Sequence, residues 1–215
     1  MYHAILFDLD GTLTDSGEGI MKSVQYALEK IGKPEPDLNK LRVFVGPPLY
    51  KEFMEYAGID EETAQQAVAY YRERYTPIGV YENSLYNGIR EMLEGLKARG
   101  YRLGVASSKP EHFVLIVLDY FKIREYFDVI VGSELSGART NKAEVVEEAL
   151  RQLGLENHRD QVVMVGDKEH DVFGAREAGL ECVSVSYGYG TMEELTNADP
   201  LKIVGSPEEL LDFFA

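Results

Sequence analysis

Short apolar runs, spaced by stretches that fit helices, constrain the fold of this chain more than any other feature. The runs lie at residues 4–9, 101–107, 127–132, 161–166 and 181–186, and a sixth at 201–205 is placed to form a last edge strand. They are mostly continuously apolar rather than alternating, which is typical of strands covered on both faces by helices. Strands that alternate with helical patterns form βαβ units, so the sequence predicts an α/β fold around a mostly parallel sheet.

The gap after the first run is too long for one crossover helix. About 90 residues, 10–100, separate the first two runs, where a crossover needs about a dozen. Two helical stripes fill much of it: Ile20, Val24, Ala27, Leu28 and Ile31, then Ala64, Val68, Tyr71, Tyr75 and Ile78. We therefore predict a small helical domain at 16–81, inserted into a core formed by residues 1–15 and 82–215.

Charge and cysteine content limit the partners of the chain. Its 215 residues carry a formal net charge of −15, and an acidic chain lacks the basic face that a nucleic-acid polymer or an anionic membrane needs. No apolar run approaches the ~18 residues of a membrane span and no signal-peptide pattern opens the sequence, so we expect a cytoplasmic protein. The single cysteine, Cys182, lies in an apolar run and is expected to be a buried core thiol.

Paired aspartates end two of the predicted strands. Asp8 and Asp10 are two residues apart in a strand, so they point the same way, and their repulsion must be relieved by a proton or a cation. Asp167 and Asp171, after the run at 161–166, would add carboxylate oxygens at the same edge of the sheet. Oxygen ligands without cysteine or suitably spaced histidine are typical of a hard ion, which predicts a Mg²⁺ site with phosphate as a co-ligand.

Hydroxyl and ammonium groups at this edge suit a phosphate, but each has a structural alternative. Ser107 and Ser108 follow the second run, and Lys142 opens a helical pattern. Ser108 with Glu111 could instead form a capping box. Asn141 could cap the next helix and leave Lys142 as a solvated surface charge. These alternatives stay open at the level of sequence.

The end of the fourth run also allows structural interpretations. Asp167 could cap a helix, and Asp171 could be an exposed helical residue. His170 is predicted to be an exposed helical histidine rather than a ligand. The stretch "GYGT" at 188–191 is too short for a nucleotide-binding fingerprint and is predicted to be a turn.

Four ordered motifs resemble those of the haloacid dehalogenase superfamily. They are "FDLDGTLTDS" at 7–16, "VASSK" at 105–109, Lys142, and "VMVGDKEHDVFGAREAG" at 163–179. The resemblance covers nearly the whole chain, and "FVGPPL" with "SYGYGTMEEL" is most similar to the phosphoglycolate phosphatase and 5′-nucleotidase-like branch. It implies a Rossmann-like, doubly wound core with a small helical cap domain at 16–81 that closes over the site.

The resemblance also implies a reaction, the Mg²⁺-dependent hydrolysis of a small phosphorylated metabolite. Asp8 would be the nucleophile that forms an aspartyl-phosphate, and Asp10 would protonate the leaving oxygen and then deprotonate the attacking water. Mg²⁺ would be held by the Asp8 side chain, the backbone carbonyl of Asp10 and the Asp167 side chain, with Asp171 in support. Ser107 and Lys142 would contact the phosphoryl oxygens. Dehalogenases lack the second acid, so Asp10 favours phosphoryl transfer.

The predicted cap carries the candidate substrate-reading residues. Arg42 and Lys51 flank the turn at 46–48 and are favoured over Arg72 and Arg74, although each could be a solvated surface charge. A sugar phosphomutase, which differs chiefly in the cap, remains an alternative. A phospho-accepting receiver domain is a second alternative, because such domains also combine acidic residues, Mg²⁺ and lysine, although they lack the insertion. The intact set of carboxylates disfavours a third alternative, a binding module. The sequence leaves monomer and homodimer open.

Overall fold

The computed structural model describes residues 2–136 and 138–215. The chain divides into two compact units, Met1–Thr14 with Leu85–Ala215, and Asp15–Ser84. The insertion predicted at 16–81 falls within the second unit. Among the described residues, no helix has both the length and the apolarity that crossing a bilayer demands.

The strands and helices are numbered in chain order. The strands are β1 Ala4–Phe7, β2 Thr14–Asp15, β3 Ser84–Leu85, β4 Arg102–Pro110, β5 Val129–Ser133, β6 Val162–Gly166, β7 Glu181–Val185 and β8 Lys202–Val204. The α-helices are α1 Gly17–Lys30, α2 Leu49–Ala57, α3 Glu61–Tyr75, α4 Ile89–Ala98, α5 Glu111–Tyr120, α6 Lys142–Leu153, α7 Glu169–Glu177, α8 Met192–Ala198 and α9 Pro207–Phe213. Short 3-10 helices span Leu38–Phe44, Gly79–Tyr81, Arg124–Tyr126 and Arg159–Gln161.

A six-stranded sheet organises the first unit. Its order is β5-β4-β1-β6-β7-β8, and each pairing is parallel. All four residues of β1 are buried, as the continuous apolar run predicts for a central strand covered on both faces. The predicted α/β class with a mostly parallel sheet is therefore confirmed, and β8 forms the predicted edge strand.

One layer of the core shows why the helices pack as they do. Val145, Val146, Ala149 and Leu150 of α6 recur at helical spacing and join residues of α7 and of the sheet in one buried cluster. Cys182 belongs to that cluster, which confirms the predicted core thiol. Burying these side chains stabilises the first unit and fixes the start of α6 over the sheet.

Strand β4, which pairs with β1 and β5, runs further than the sequence predicts. It extends to Pro110, with a register shift between Ala106 and Pro110, and α5 begins at Glu111. Ser108 therefore lies in the strand, and the capping-box alternative for it is wrong: the N-cap of α5 is Pro110, which has no side chain able to cap.

The second unit is helical and has its own buried contacts. The first turn of α1 lies against residues 79–82: Gly19 N donates to Glu82 O at 3.1 Å, and a Cβ on Gly19 would lie 1.9 Å from Gly79 O. Arg74 donates to both carboxylate oxygens of Glu82, at 2.8 and 3.0 Å, and to Ser23 Oγ at 3.2 Å. Arg74 thus makes a salt bridge and a hydrogen bond within this unit, and its candidacy as a substrate-reading residue stays a prediction.

Candidate active site

The site forms at the carboxyl ends of β1 and β6 and beside the C-terminal half of β4, which lies next to β1. Phe7, the last residue of β1, pairs with Val105 of β4 and Val165 of β6. Asp8 follows at once, and its N–H donates to Val165 O at 2.9 Å. Because parallel strands present their carboxyl ends at one edge, the residues after Phe7, Val105 and Val165 meet there.

Lys142 is buried at this edge and is not a surface charge. Asn141 caps α6, with its side chain accepting from Ala143 N at 3.0 Å, and Lys142 is the first residue of that helix. Its ammonium contacts Asp8 Oδ1 at 2.8 Å, Asp171 Oδ1 at 2.8 Å and the carbonyl of Ala106 at 3.1 Å. These acceptors match the three N–H donors of an ammonium. The solvated alternative for Lys142 is therefore wrong.

Asp167 and Asp171 are also buried. Asp167 is not the helix cap, and Asp171 is not the exposed helical residue, that the sequence also allowed. The N-cap of α7 is Lys168, and Asp171 lies in the first helical turn with 2 % of its surface exposed. Asp171 Oδ2 accepts from the N–H groups of Asp167 and Lys168, both at 3.1 Å. His170, between them, is exposed as predicted.

Three of the carboxylates form a cluster that fits a cation. Asp8, Asp167 and Asp171 each offer an oxygen within 4.8 Å of the others. Burial, followed by the charges of Asp171 and Asp8, raises the pKa of Asp167 to about 8. Burial acts to lower the pKa of Lys142, but Asp171 and Asp8 outweigh it and raise that pKa. Lys142 pairs with Asp8 and Asp171 of this cluster, and a hard divalent cation would neutralise the negative charge that one ammonium leaves uncompensated.

Asp10 lies in a different environment from Asp8. Both of its carboxylate oxygens accept from Lys109 Nζ, at 3.0 and 2.9 Å, and the two side chains are 8 and 6 % exposed. Among the described residues, its carboxylate is not part of the three-aspartate cluster. The two aspartates of the first motif are therefore held by two different lysines, Asp8 by Lys142 and Asp10 by Lys109.

The residue after Asp10 is a glycine that lies against the Asp167 carboxylate, and no larger side chain fits there. Gly11 has a φ of +87°, which favours glycine, and a Cβ there would lie 2.2 Å from Asp167 Oδ2. Asp167 is also held from outside the predicted set: Thr12 Oγ1 donates to Oδ1 at 3.3 Å and Tyr189 N to Oδ2 at 2.7 Å. Sequence reasoning missed both contacts: Thr12 lies in the stretch at 7–16, and Tyr189 lies in "GYGT", which follows β7 and was predicted only to be a turn.

The other predicted binding residues lie in several places. Ser107 is buried in β4, its Oγ accepts weakly from Lys109 N at 3.4 Å, and Ser108 next to it is half-buried. Arg42 and Lys51 belong to the second unit, on the 3-10 helix Leu38–Phe44 and on α2, and both are exposed. The first unit thus brings together Asp8, Ser107, Lys142, Asp167 and Asp171, whereas Arg42 and Lys51 stay predictions.

Comparisons with known proteins bear on this arrangement. A family model described as haloacid dehalogenase-like hydrolase matches residues 5–185. A 5′-nucleotidase from Pseudomonas aeruginosa is 47% identical over 199 residues, which cover 93% of this chain and 89% of that protein. A crystal structure of a predicted phosphatase from Clostridium acetobutylicum superposes with a TM-score of 0.96 at 47% identity, covering 100% of this chain and 98% of that one.

A third relative is named as a kinase rather than a phosphatase. The tyrosine-protein kinase PtkA of Mycobacterium tuberculosis is 42% identical over 186 residues, which cover 86% of this chain and 62% of that protein. The chain therefore spans less than two thirds of the length of that relative.

Proposed function

Because this chain belongs to the haloacid dehalogenase-like hydrolase family, we propose that it is a Mg²⁺-dependent phosphatase of small phosphomonoesters. The observation that carries the proposal is the separation of two carboxylates that are two residues apart. Asp8 pairs with buried Lys142 in an acidic cluster, and Asp10 pairs with Lys109 outside it. Asp8 and Asp10 thus have different partners, and we assign Asp8 as the nucleophile and Asp10 as the acid and base.

In the first step an oxygen of Asp8 attacks the phosphorus of the ester. The bond between phosphorus and the ester oxygen breaks, and Asp10 gives a proton to that leaving oxygen. The products of this step are an alcohol and an aspartyl-phosphate on Asp8. Lys142, 2.8 Å from Asp8 Oδ1, orients the nucleophile.

In the second step Asp10, now ionised, takes a proton from a water molecule. The water oxygen attacks the phosphorus, and the bond from phosphorus to Asp8 breaks. Inorganic phosphate leaves and Asp8 is regenerated as a carboxylate while Asp10 is again protonated. One residue serves both steps because each step moves a proton in the opposite direction.

The acidic cluster supplies the ligands for the metal ion. Asp8 and Asp167 would hold Mg²⁺ together with the backbone carbonyl of Asp10, and Asp171 would support them through its contacts with Lys142 and the Asp167 N–H. Bound there, Mg²⁺ would neutralise phosphoryl charge.

Ser107 and Lys142 were predicted to contact the phosphoryl oxygens, and the hydrogen bonds of Lys142 support a division of roles between them. The three donors of Lys142 all point to protein oxygens, so contact with phosphate requires exchange of one of these bonds. We therefore assign Lys142 chiefly to charge neutralisation at Asp8, and Ser107 to phosphate contact through its hydroxyl.

The substrate class we favour is a nucleoside 5′-monophosphate, on the basis of the likeness to the 5′-nucleotidase. Phosphoglycolate and sugar phosphates are the next compounds to test, and a sugar phosphate that is isomerised rather than hydrolysed would indicate a mutase. The likeness to PtkA supports a second candidate, phosphoryl transfer from ATP to a tyrosine hydroxyl.

One experiment separates these candidates. Phosphate release is measured as kcat/KM across nucleoside 5′-monophosphates, phosphoglycolate and sugar phosphates, with Mg²⁺ and with excess chelator. A phosphatase turns over many times on at least one ester and stops in chelator. Transfer of the γ-phosphate of labelled ATP to tyrosine without ester hydrolysis would favour the kinase, and one slow turnover would favour a receiver domain.

A further inference from the structure

We propose that Tyr187 is a positioning residue for Asp10, because its hydroxyl holds the turn on which Asp10 lies. The inference rests on the proposed function, since it concerns the acid and base of that reaction. Tyr187 Oη donates to the carbonyl of Thr12 at 3.0 Å. Tyr187 lies in the stretch "SYGYGTMEEL", for which the sequence predicts no catalytic role.

The turn is closed by its own hydrogen bonds and so moves as one piece. The carbonyl of Leu9 accepts from the N–H groups of Thr12, Leu13 and Thr14, at 3.3, 2.9 and 3.0 Å. Gly11 N donates to Thr14 O at 2.7 Å. Asp10 lies within this turn, so a contact that holds the Thr12 carbonyl also restrains the backbone from which the Asp10 carboxylate, paired with Lys109, extends.

Tyr187 is itself held in place. It follows β7, and its ring packs against Tyr86 with the centroids 4.9 Å apart and the planes at 60°. Tyr86 N donates to Leu13 O at 3.3 Å. Two aromatic residues from distant parts of the sequence therefore contact the same turn.

The contact of Tyr187 is separable from the contact that the same loop makes with Asp167. Tyr189 N donates to Asp167 Oδ2, and Gly188 lies so close that a Cβ would be 2.4 Å from Asp167 Cβ. Tyr187 donates only to the Thr12 carbonyl through its hydroxyl. Removing that hydroxyl alone should loosen the turn that carries Asp10 and Thr12, while the contact of the Tyr189 N–H with Asp167 remains. Thr12 Oγ1 also donates to Asp167 Oδ1, but an effect through Asp167 would slow all esters alike, whereas an effect through Asp10 would not.

Loss of the hydroxyl should affect substrates unequally. An alkoxide leaving group needs a proton from Asp10, whereas p-nitrophenolate leaves without one. General acid catalysis contributes about 10²- to 10⁴-fold, and a misplacement of about 1 Å forfeits a large part of such a factor. A poorly placed Asp10 therefore slows alkyl phosphates more than p-nitrophenyl phosphate.

The test is Tyr187→Phe, compared with wild type on p-nitrophenyl phosphate and on whichever alkyl phosphate of the panel wild type hydrolyses fastest. We expect kcat/KM to fall about tenfold more for the alkyl ester, a fraction of the full acid contribution. Tyr101→Phe is the matched control, because Tyr101 Oη also donates to a backbone carbonyl, that of Phe214 at 3.1 Å. The ratio of kcat/KM on the two esters should be the same for Tyr101→Phe as for wild type.

A second measurement uses the Asp10→Asn background. If Tyr187 acts through Asp10, Tyr187→Phe should cause no further loss in the rate of alkyl ester cleavage once Asp10 is amide. An equal loss on both esters, or an additive loss in the Asp10→Asn background, overturns the positioning role and leaves the proposed function standing. A wild type that hydrolyses neither ester overturns the proposed function and this role with it.

Discussion

The Lys142→Met substitution tests the buried charge arrangement most directly. Lys142 contacts Asp8 and Asp171 at 2.8 Å, with 7 % of its side chain exposed. At that separation and an effective dielectric constant of about 20, each contact is worth about 6 kcal/mol before the cost of desolvation. Breaking such a buried pair by removing one partner costs about 3–5 kcal/mol, because the remaining carboxylates lose their compensating charge.

Urea unfolding in excess chelator measures this loss without competition from metal. With an m value of about 2 kcal/mol per molar urea, the unfolding midpoint should fall by about 2 M. Removing one preorganised charge-stabilising group should also lower kcat/KM with Mg²⁺ by at least about 100-fold. Folding should survive because proteins of this kind are stable by about 5–15 kcal/mol.

Lys97→Met is the matched control for that experiment. Lys97 pairs with Asp128 at 3.0 Å, a similar distance, but both side chains are 35 % exposed. An exposed pair contributes at most about 1 kcal/mol, so the midpoint and kcat/KM should stay close to wild type. If Lys142→Met has the same urea midpoint as Lys97→Met and keeps its activity, the contacts of Lys142 with Asp8 and Asp171 contribute little to stability or catalysis.

Further predictions concern the metal, the acid, the close packing and the second unit. Mg²⁺ should support phosphate release better than Ca²⁺, which takes more ligands at longer distances, and full turnover in chelator would remove the metal assignment. Asp10→Asn should release one burst of p-nitrophenol and then accumulate a phosphoenzyme detectable by intact mass; rapid multiple turnover would refute its role as base. Gly11→Ala should lower activity, since its Cβ would lie 2.2 Å from Asp167 Oδ2; unchanged Mg²⁺ dependence and rate would contradict this. Arg74 lowers the pKa of Glu82, so their pairing stabilises the fold above the ordinary carboxyl pKa and is lost as pH falls through the lowered value. Arg74→Met should therefore cost about 1–2 kcal/mol at pH 7 and progressively less below about pH 4, as followed by thermal unfolding.

The sequence alone determined the architecture and the family. Continuous apolar runs and helical stripes are local patterns, so they predicted the parallel sheet, its edge strand and a helical insertion before any contact was known. The ordered motifs predicted a haloacid dehalogenase-like hydrolase, and the family match confirms it. Asp8, Asp167 and Asp171 follow strand ends, and the rule that ligands bind at those ends predicted that they would meet.

Only the tertiary structure decided how the charges are paired. Whether Lys142 faces solvent or Asp8, and whether Ser108 caps a helix or extends β4, depends on the register of strands that lie far apart in the chain. The contacts of Tyr187 with Thr12 and of Tyr189 with Asp167 arise because β7 lies beside β6 in the sheet. Local periodicity carries no information on strand order, so the partners of a loop residue emerge only when the sheet is assembled.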